Sequence, residues 1–408
     1  MTRGGFEGLD ACVHCGFCLQ ACPTFLATGD ESDSPRGRIE LMRGLERGEI
    51  AATDPALFYH LDRCLGCRGC EPVCPSGVQY GHGLEAARAR ITAVRGVSPM
   101  ARLALWALTT PGVSAVVYWF SRVLRAVLPR SFAGWGRIRF ALGMLAATKP
   151  AAKTHRRPFA APSPPLAAVL FRGCVMEGLF SHVHDATIRT LGVNGYQVRE
   201  VSGQVCCGAL HEHAGLVDEA RALARVNVDA FGDGEEPIVV NSAGCGALMK
   251  EYGRLLGDVR AERFGARVRD VTELLAGNGV KGPVAGAPLD LHVAYDPPCH
   301  LLHAQGVAVQ PLTLFAAIPL LELVPVPGAA ECCGSAGLFT LLEPEMSRTV
   351  LTTKLDRLRE AAPQVVATGN PGCLMQIGAG LAAAGIAALA RHPVELLDDA
   401  YRAAGRYE

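Results

Sequence analysis

Two copies of one cysteine pattern constrain this chain more than anything else in it. Residues 12–23 read Cys12-x2-Cys15-x2-Cys18-x3-Cys22-Pro23, and residues 64–75 repeat the spacing as Cys64-x2-Cys67-x2-Cys70-x3-Cys74-Pro75. Cysteines at i, i+3 and i+6 along a curled loop present three sulfurs to one small body. The fourth, before proline, points from a helix start toward the other run's centre. Proline suits that place because its fixed φ and missing N–H cost nothing in a first helical turn. The pattern predicts two [4Fe–4S] clusters. One sits on Cys12, Cys15, Cys18 and Cys74, the other on Cys64, Cys67, Cys70 and Cys22. Zinc uses Cys-x2-Cys pairs and does not account for two such runs.

The chain has 408 residues, half of them hydrophobic, which favours two or three domains with real cores. Lys+Arg and Asp+Glu are both 39, so net charge offers no sign of a nucleic-acid partner. No apolar signal-like run precedes Cys12, so the expected compartment is a reducing cytoplasm. There the 16 cysteines are not read as a disulfide framework.

Residues 1–97 are expected to form a mostly helical, ferredoxin-like module with two clusters. Ser34 to Gly44 reads as a turn and a helix, Pro55 to Arg63 as a short helix, and Gly83 to Val94 as another. Arg36 and Arg38 either offset the charge of a thiolate-ligated cluster or are ordinary solvated arginines. Residues 98–165 differ in kind. From Ala86 to Met176 there is no Asp or Glu but 14 Lys or Arg, and Trp106, Trp119 and Trp135 all fall there. Leu103 to Ser121 is uncharged over 19 residues, but Thr109-Thr110-Pro111-Gly112 should break it. The reading is two short apolar helices, Ala101–Leu108 and Val113–Leu128. They are either an interfacial or partner-docking surface or a helical linker packed on the protein itself. Lys149 to Pro165 is a linker by composition.

The remainder is an internal repeat. Cys174, Cys206-Cys207-Gly208 and Cys245 recur as Cys299, Cys332-Cys333-Gly334 and Cys373, at offsets of 125, 126, 126 and 128 residues. Two related domains follow, 166–285 and 286–408. Strand-like runs precede each cysteine: 166–171, 196–201, 238–240, 291–295, 321–326 and 365–368. Helical patterns come after, such as 216–231 and 345–358. This alternation predicts parallel α/β domains with the cysteines in loops at the carboxyl ends of strands. A glycine after two adjacent cysteines tolerates φ > 0 and lets one turn aim both sulfurs at one centre. The fold class is thus α+β multidomain: a helical two-cluster module followed by two α/β Cys-Cys-Gly domains. His182, His184, His211, His213, His300 and His303 lie near the cysteines in sequence. They are candidates for ligating metal, tuning a cluster or binding a quinone headgroup, or are ordinary polar residues.

The whole chain resembles the iron–sulfur subunits of bacterial glycolate oxidase (glycolate dehydrogenase). The resemblance rests on the two cysteine runs, the two Cys-Cys-Gly turns, Ser34-Pro35-Arg36-Gly37-Arg38-Ile39, Asn241-Ser242-Ala243-Gly244-Cys245-Gly246 and Gly369-Asn370-Pro371-Gly372-Cys373. The wider family includes subunits of lactate oxidation systems, anaerobic glycerol-3-phosphate dehydrogenase and heterodisulfide reductase. In heterodisulfide reductase a further cysteine makes five ligands per domain for a non-cubane cluster. Here Ser242 and Asn370 stand at those places, which argues against disulfide-reducing chemistry. Four thiolates remain in each set, and full, partial or no occupancy by further iron–sulfur clusters all fit.

No G-x-G-x-x-G after a strand and no phosphate-binding P-loop is found, so no flavin or nicotinamide site is expected in this chain. Iron–sulfur clusters move single electrons and do not take hydride from an alcohol carbon. The resemblance therefore implies an oxidoreductase subunit with no catalytic residues for the hydroxy acid. An FAD-containing partner oxidises glycolate to glyoxylate, with a second flavoprotein-like subunit alongside, and this chain passes electrons to membrane quinone. The implied location is cytoplasmic, peripheral on the inner face of the plasma membrane. The alternatives are the same role for L-lactate or glycerol 3-phosphate, a thiol–disulfide reductase, and a metal-binding scaffold.

Overall fold

The computed structural model describes residues 4–151, 166–280 and 289–407. Most of the expected linker, and the boundary expected at 285/286, lie outside the described residues.

The N-terminal part is helical because its caps and breakers leave little choice. Ser34 accepts from the Gly37 amide at 2.9 Å and opens the helix Pro35–Arg47. Asp54 does the same for Pro55–Asp62. The helix Tyr80–Arg95 buries Leu84, Ala87 and Ile91 against Leu9, Met42 and Leu61, forming one apolar core under both cysteine loops.

Two four-stranded parallel sheets follow. The first comprises β1 (Leu166–Phe171), β2 (Tyr196–Glu200), β3 (Ile238–Val240) and β4 (Val268–Asp270), in the order β2-β1-β3-β4. The second comprises β5 (Leu291–Tyr295), β6 (Leu321–Leu323), β7 (Val365–Ala367) and β8 (Leu389–Arg391), in the order β6-β5-β7-β8. All pairings are parallel and the two orders are equivalent, so the repeat is structural as well as sequential. β3 and β7 are buried along their whole length, the mark of parallel strands covered by helices on both faces. The two halves share one core that joins Leu170 and Leu191 to Val293, Phe315 and Tyr401. A buried two-armed ion pair, Arg189 to Asp398 with both contacts at 2.8 Å, crosses between them.

The basic segment forms helices Pro99–Thr109, Val113–Val127 and Arg137–Ala147. Among the described residues no single helix is long and apolar enough to cross a membrane, and the first two are bent by 89° at their break. The second packs on the protein itself: the Tyr118 ring lies on Gly178, and Arg122 Nε donates to the Gly178 carbonyl at 2.8 Å. The third packs through Gly143 and Ala147 on Ala379 and Gly378 of the helix Pro371–Ala383.

Candidate metal centres and the cavity between the repeats

Both N-terminal cysteine loops curl through left-handed residues at matching positions, His14 and Gly16 in one and Gly66 and Arg68 in the other. His14 and Arg68 hold φ near 57° and 59°, which non-glycine residues rarely adopt. These kinks turn successive sulfurs to one side. Cys12, Cys15 and Cys18 are close enough to raise one another's thiolate energy. Cys22 lies with Cys64, and Cys70 with Cys64, Cys67 and Cys22. Cys74 packs, half-buried, on the same apolar core as Cys12 and Cys18.

The two groups differ in exposure. Cys15 is exposed, while Cys22, Cys64 and Cys70 are buried. Burial pushes the Cys22 and Cys70 thiols up, so their ionised form needs positive charge beside it. One source is Arg38, fully buried with Nη1 3.9 Å from Cys22 Sγ. Asp33 holds its other arm at 3.1 Å. A bound metal cluster is the other, and four converging thiolates are the donor set such clusters take. Arg36 lies nearer the surface, paired with Glu31 at 2.7 Å, and its Nη1 donates to the His14 carbonyl of the first cysteine loop at 3.2 Å. Charge compensation thus fits Arg38 beside the second cysteine group, while the more exposed Arg36 both pairs with Glu31 and lies beside the first.

In each repeat the fold gathers cysteines from distant loops. Cys174 and Cys206 sulfurs are 3.4 Å apart, and Cys207 lies within hydrogen-bonding reach of Cys206 and Cys245. The second repeat copies this: Cys332 reaches Cys299 and Cys333, and Cys333 reaches Cys373. Gly208 and Gly334 have φ of 90° and 83°, as the Cys-Cys-Gly reading requires. A β-carbon on Gly334 would also stand 2.6 Å from the Ser347 carbonyl oxygen. Cys245 and Cys373 occupy the first turns of the helices Ala243–Lys250 and Pro371–Ala383.

Both sets open onto one cavity of about 760 Å³, lined by all eight of these cysteines and by Cys64. Ser242 and Asn370, the equivalent positions of the two repeats, meet at its wall. The Ser242 hydroxyl donates to Asn370 Oδ1 at 3.3 Å, and the Gly244 amide donates to the same oxygen at 3.2 Å. Asn370 thus holds the start of the first repeat's helix that carries Cys245. The sequence marked both as departures from a five-cysteine set; their mutual contact was not readable, because it belongs to the packing of the halves.

The second repeat also touches the N-terminal module. Cys67 lies within hydrogen-bonding reach of Cys332, and Leu65 shares an apolar cluster with Cys332, Phe339 and Met346. On the first repeat the module is held by ions: Arg68 donates to Glu251 at 2.9 Å, and Arg254 bridges Glu85 at 2.7 Å and Glu212 at 3.2 Å. Burial pushes the Glu212 carboxyl up to about 8, and nearby Glu85 adds to the shift.

The histidines separate into two groups. His213 and His300 line the cavity with ring centroids 5.2 Å apart, and His300 Nδ1 is 3.5 Å from Cys299 Sγ. His303 lies against Gly69 of the second cysteine loop. His182 and His184 are core residues of the long helix Val175–Val193.

Residues 8–78 match the 4Fe-4S dicluster domain family, and residues 168–250 and 293–378 each match the cysteine-rich domain family. Two [4Fe–4S] clusters are therefore the cofactors of the N-terminal module, and the cysteine sets of the repeats fit further iron–sulfur clusters. The chain is 32% identical to the probable glycolate oxidase iron–sulfur subunit of Bacillus subtilis strain 168, over 97% of this chain and 94% of that one. It is 33% identical to the glycolate oxidase iron–sulfur subunit of Escherichia coli K12, over 96% and 94%. Lactate utilization protein A of Geobacillus kaustophilus is 31% identical over 56% of this chain and 97% of its own.

Proposed function

This chain belongs to the glycolate oxidase iron–sulfur subunit family, and from that premise we propose that it carries electrons from a glycolate-oxidising flavoprotein to a membrane quinone. Cys12, Cys15, Cys18 and Cys74 hold one cluster, and Cys64, Cys67, Cys70 and Cys22 the other. Bound clusters supply one-electron acceptance and release, which no side chain here provides. The functional units are residues 1–97, 98–165, 166–285 and 286–408.

The observation that carries the reading is graded burial. Cys15 lies at the surface between Val13 and Phe17, which are 68% and 67% exposed. That apolar edge suits a docked flavoprotein. Cys22, Cys64 and Cys70 are buried, and Cys67 adjoins Cys332 of the second repeat. The chain thus offers one open end and one end directed at the cavity. It contributes no group to the hydroxy acid itself, whose C–H bond is broken at the partner's FAD. A second flavoprotein-like subunit completes the complex, which sits on the cytoplasmic face of the plasma membrane.

The test is an anaerobic pull-down of the tagged chain from its own cells. Dye reduction is assayed with glycolate, L-lactate and glycerol 3-phosphate in parallel, and iron is counted. The expected eluate contains a flavoprotein, about eight or more irons per chain, and activity that prefers glycolate. Preference for lactate or glycerol 3-phosphate moves the substrate assignment. Disulfide reduction without a flavoprotein defeats the reading.

A further inference from the structure

The two repeats gather their cysteines alike but are covered by different parts of the chain. Cys174 and Cys206 of the first correspond to Cys299 and Cys332 of the second. Over the second pair lies the N-terminal module: Cys67 is within hydrogen-bonding reach of Cys332, with Cys299 close by. Over the first pair lies a side chain of the basic segment. Tyr118 is buried, its hydroxyl is within hydrogen-bonding reach of Cys174, and Cys206 is close by. The correspondence extends to the backbone beneath. Gly178, four residues after Cys174, carries the Tyr118 ring and has no room for a β-carbon. His303, four residues after Cys299, lies against Gly69 of the cysteine loop, beside Cys67. Tyr118 thus stands on the first repeat where Cys67 stands on the second.

The seat of Tyr118 is fixed from several sides. Arg122 Nε donates to the Gly178 carbonyl at 2.8 Å, and Arg125 Nη1 donates to the Leu179 carbonyl. The hydroxyl has one other acceptor, the Leu108 carbonyl at 3.3 Å, which is long for an O–H···O bond. A phenol keeps its proton at neutral pH and can donate it, whereas a cluster-bound sulfur can only accept. Between Tyr118 and a ligating Cys174 the proton therefore belongs to the phenol. Hydrogen bonds to the sulfurs and exclusion of water are two of the levers that set a cluster's potential. A donor at the sulfur favours the reduced form, which carries one more negative charge.

We propose that Tyr118 is a positioning residue for an iron–sulfur centre on Cys174, Cys206, Cys207 and Cys245. Its hydroxyl donates to the Cys174 sulfur and its ring closes that side to water. The first repeat's centre then holds an electron more tightly than the same four cysteines would without the basic segment. That segment is part of the redox machinery as well as a tie between domains. The inference rests on the first repeat holding a centre, and is independent of which hydroxy acid the partner oxidises.

The test is an anaerobic redox titration of the purified, iron-loaded chain, followed by electron paramagnetic resonance, with iron counted in every sample. Cys206→Ala and Cys332→Ala assign the signals of the two repeats. Tyr118→Phe keeps the ring on Gly178 and removes the donor. It should shift the first repeat's centre about tenfold toward its oxidised form, which is about 59 mV lower for one electron, with iron content unchanged. The second repeat's centre should keep its potential. If Tyr118→Phe loses iron, 3-fluorotyrosine placed at residue 118 keeps the fit and strengthens the donor, and should raise the potential of the first centre alone. A Tyr118 that only fills space would leave the potential where it is, which overturns the proposal. An equal shift at both centres also overturns it, because that reports a change in the whole molecule. Iron content and spectra unchanged by Cys206→Ala would show that the first repeat holds no centre, with the same result. A chain that binds no iron at all would remove the electron-carrier reading too, whereas full iron with an unshifted potential removes the role of Tyr118 alone.

Discussion

At the scale of single residues, Arg38 separates charge from decoration. Its Nε donates to the His60 carbonyl at 2.7 Å and its Nη1 to Thr24 Oγ1 at 2.9 Å. Burial works against its charge, but Cys64, Tyr80, Cys22 and Asp33 around it outweigh that and raise its pKa. The guanidinium is therefore a fixed cation beside buried thiolates. Arg38→Gln should be tolerated, because Asp33 keeps Arg63 at 3.2 Å and His60 at 3.0 Å. A unit charge a few ångströms away is worth roughly 2–4 kcal/mol at an effective dielectric near 20. Its loss should lower the midpoint potential of the cluster on Cys22, Cys64, Cys67 and Cys70 by on the order of 100 mV. An anaerobic redox titration followed by electron paramagnetic resonance measures this. An unchanged potential with full iron would show that Arg38 serves only to hold Asp33. The cysteines were legible in sequence because ligation dictates their spacing. Arg38 and Arg36 looked alike, two residues apart, because only the seat of the helix Pro35–Arg47 decides which one is buried.

At the scale of elements, the strands found in sequence are those with apolar runs, the exposed edge strands β2 and β6 included. β4 and β8 escaped notice: each is three residues long, lies at a sheet edge and carries an arginine, so neither shows a readable pattern. The helix Arg137–Ala147 was missed because its basic residues sit at its start and its packing face is glycine and alanine. The loops that carry the cysteines depend on histidines that the sequence placed near the site. His184 Nε2 donates to the Arg172 carbonyl at 3.0 Å, and its Nδ1 accepts from Asn241 Nδ2 at 3.1 Å. It ties the chain before Cys174 to the chain before Ser242, and does so as a neutral ring. Burial pushes His184 and His392 down to about 3 and His182 to about 4. Unfolded, all three would titrate near 6.5. Between those values the folded state binds fewer protons than the unfolded, so stability is full above about pH 6.5 and falls as pH drops. The loss at pH 5.5 should be roughly 1 kcal/mol per histidine. Urea unfolding at pH 7.5 and 5.5 checks it. His184→Gln should be less stable than the native chain at pH 7.5 but show a shallower pH slope. An equal slope would remove His184 from this account.

At the scale of the whole molecule, the basic helical segment has two faces, and the linker reading describes its inner one. Its inner face is a strap: Tyr118, Arg122 and Arg125 hold the helix Val175–Val193 through Gly178 and Leu179. Its outer face leaves Trp106, Trp119, Phe120 and Val127 exposed, with exposed Arg102, Arg130 and Arg137 on the same segment. With no acidic residue from Ala86 to Met176, nothing within the segment offsets that charge. Aromatic and basic groups on bent helices too short to span suit the headgroup layer of an anionic bilayer. The chain should therefore co-sediment with vesicles of phosphatidylglycerol and phosphatidylcholine, release at high salt, and bind pure phosphatidylcholine weakly. Trp119→Ser with Phe120→Ser removes the largest exposed apolar area without touching the Tyr118 or Arg122 contacts. It should reduce vesicle affinity about tenfold, which is about 1.4 kcal/mol, and leave folding intact. Binding that ignores lipid charge would reassign the cations to a protein partner. Binding that survives the double substitution would move the attachment off this face.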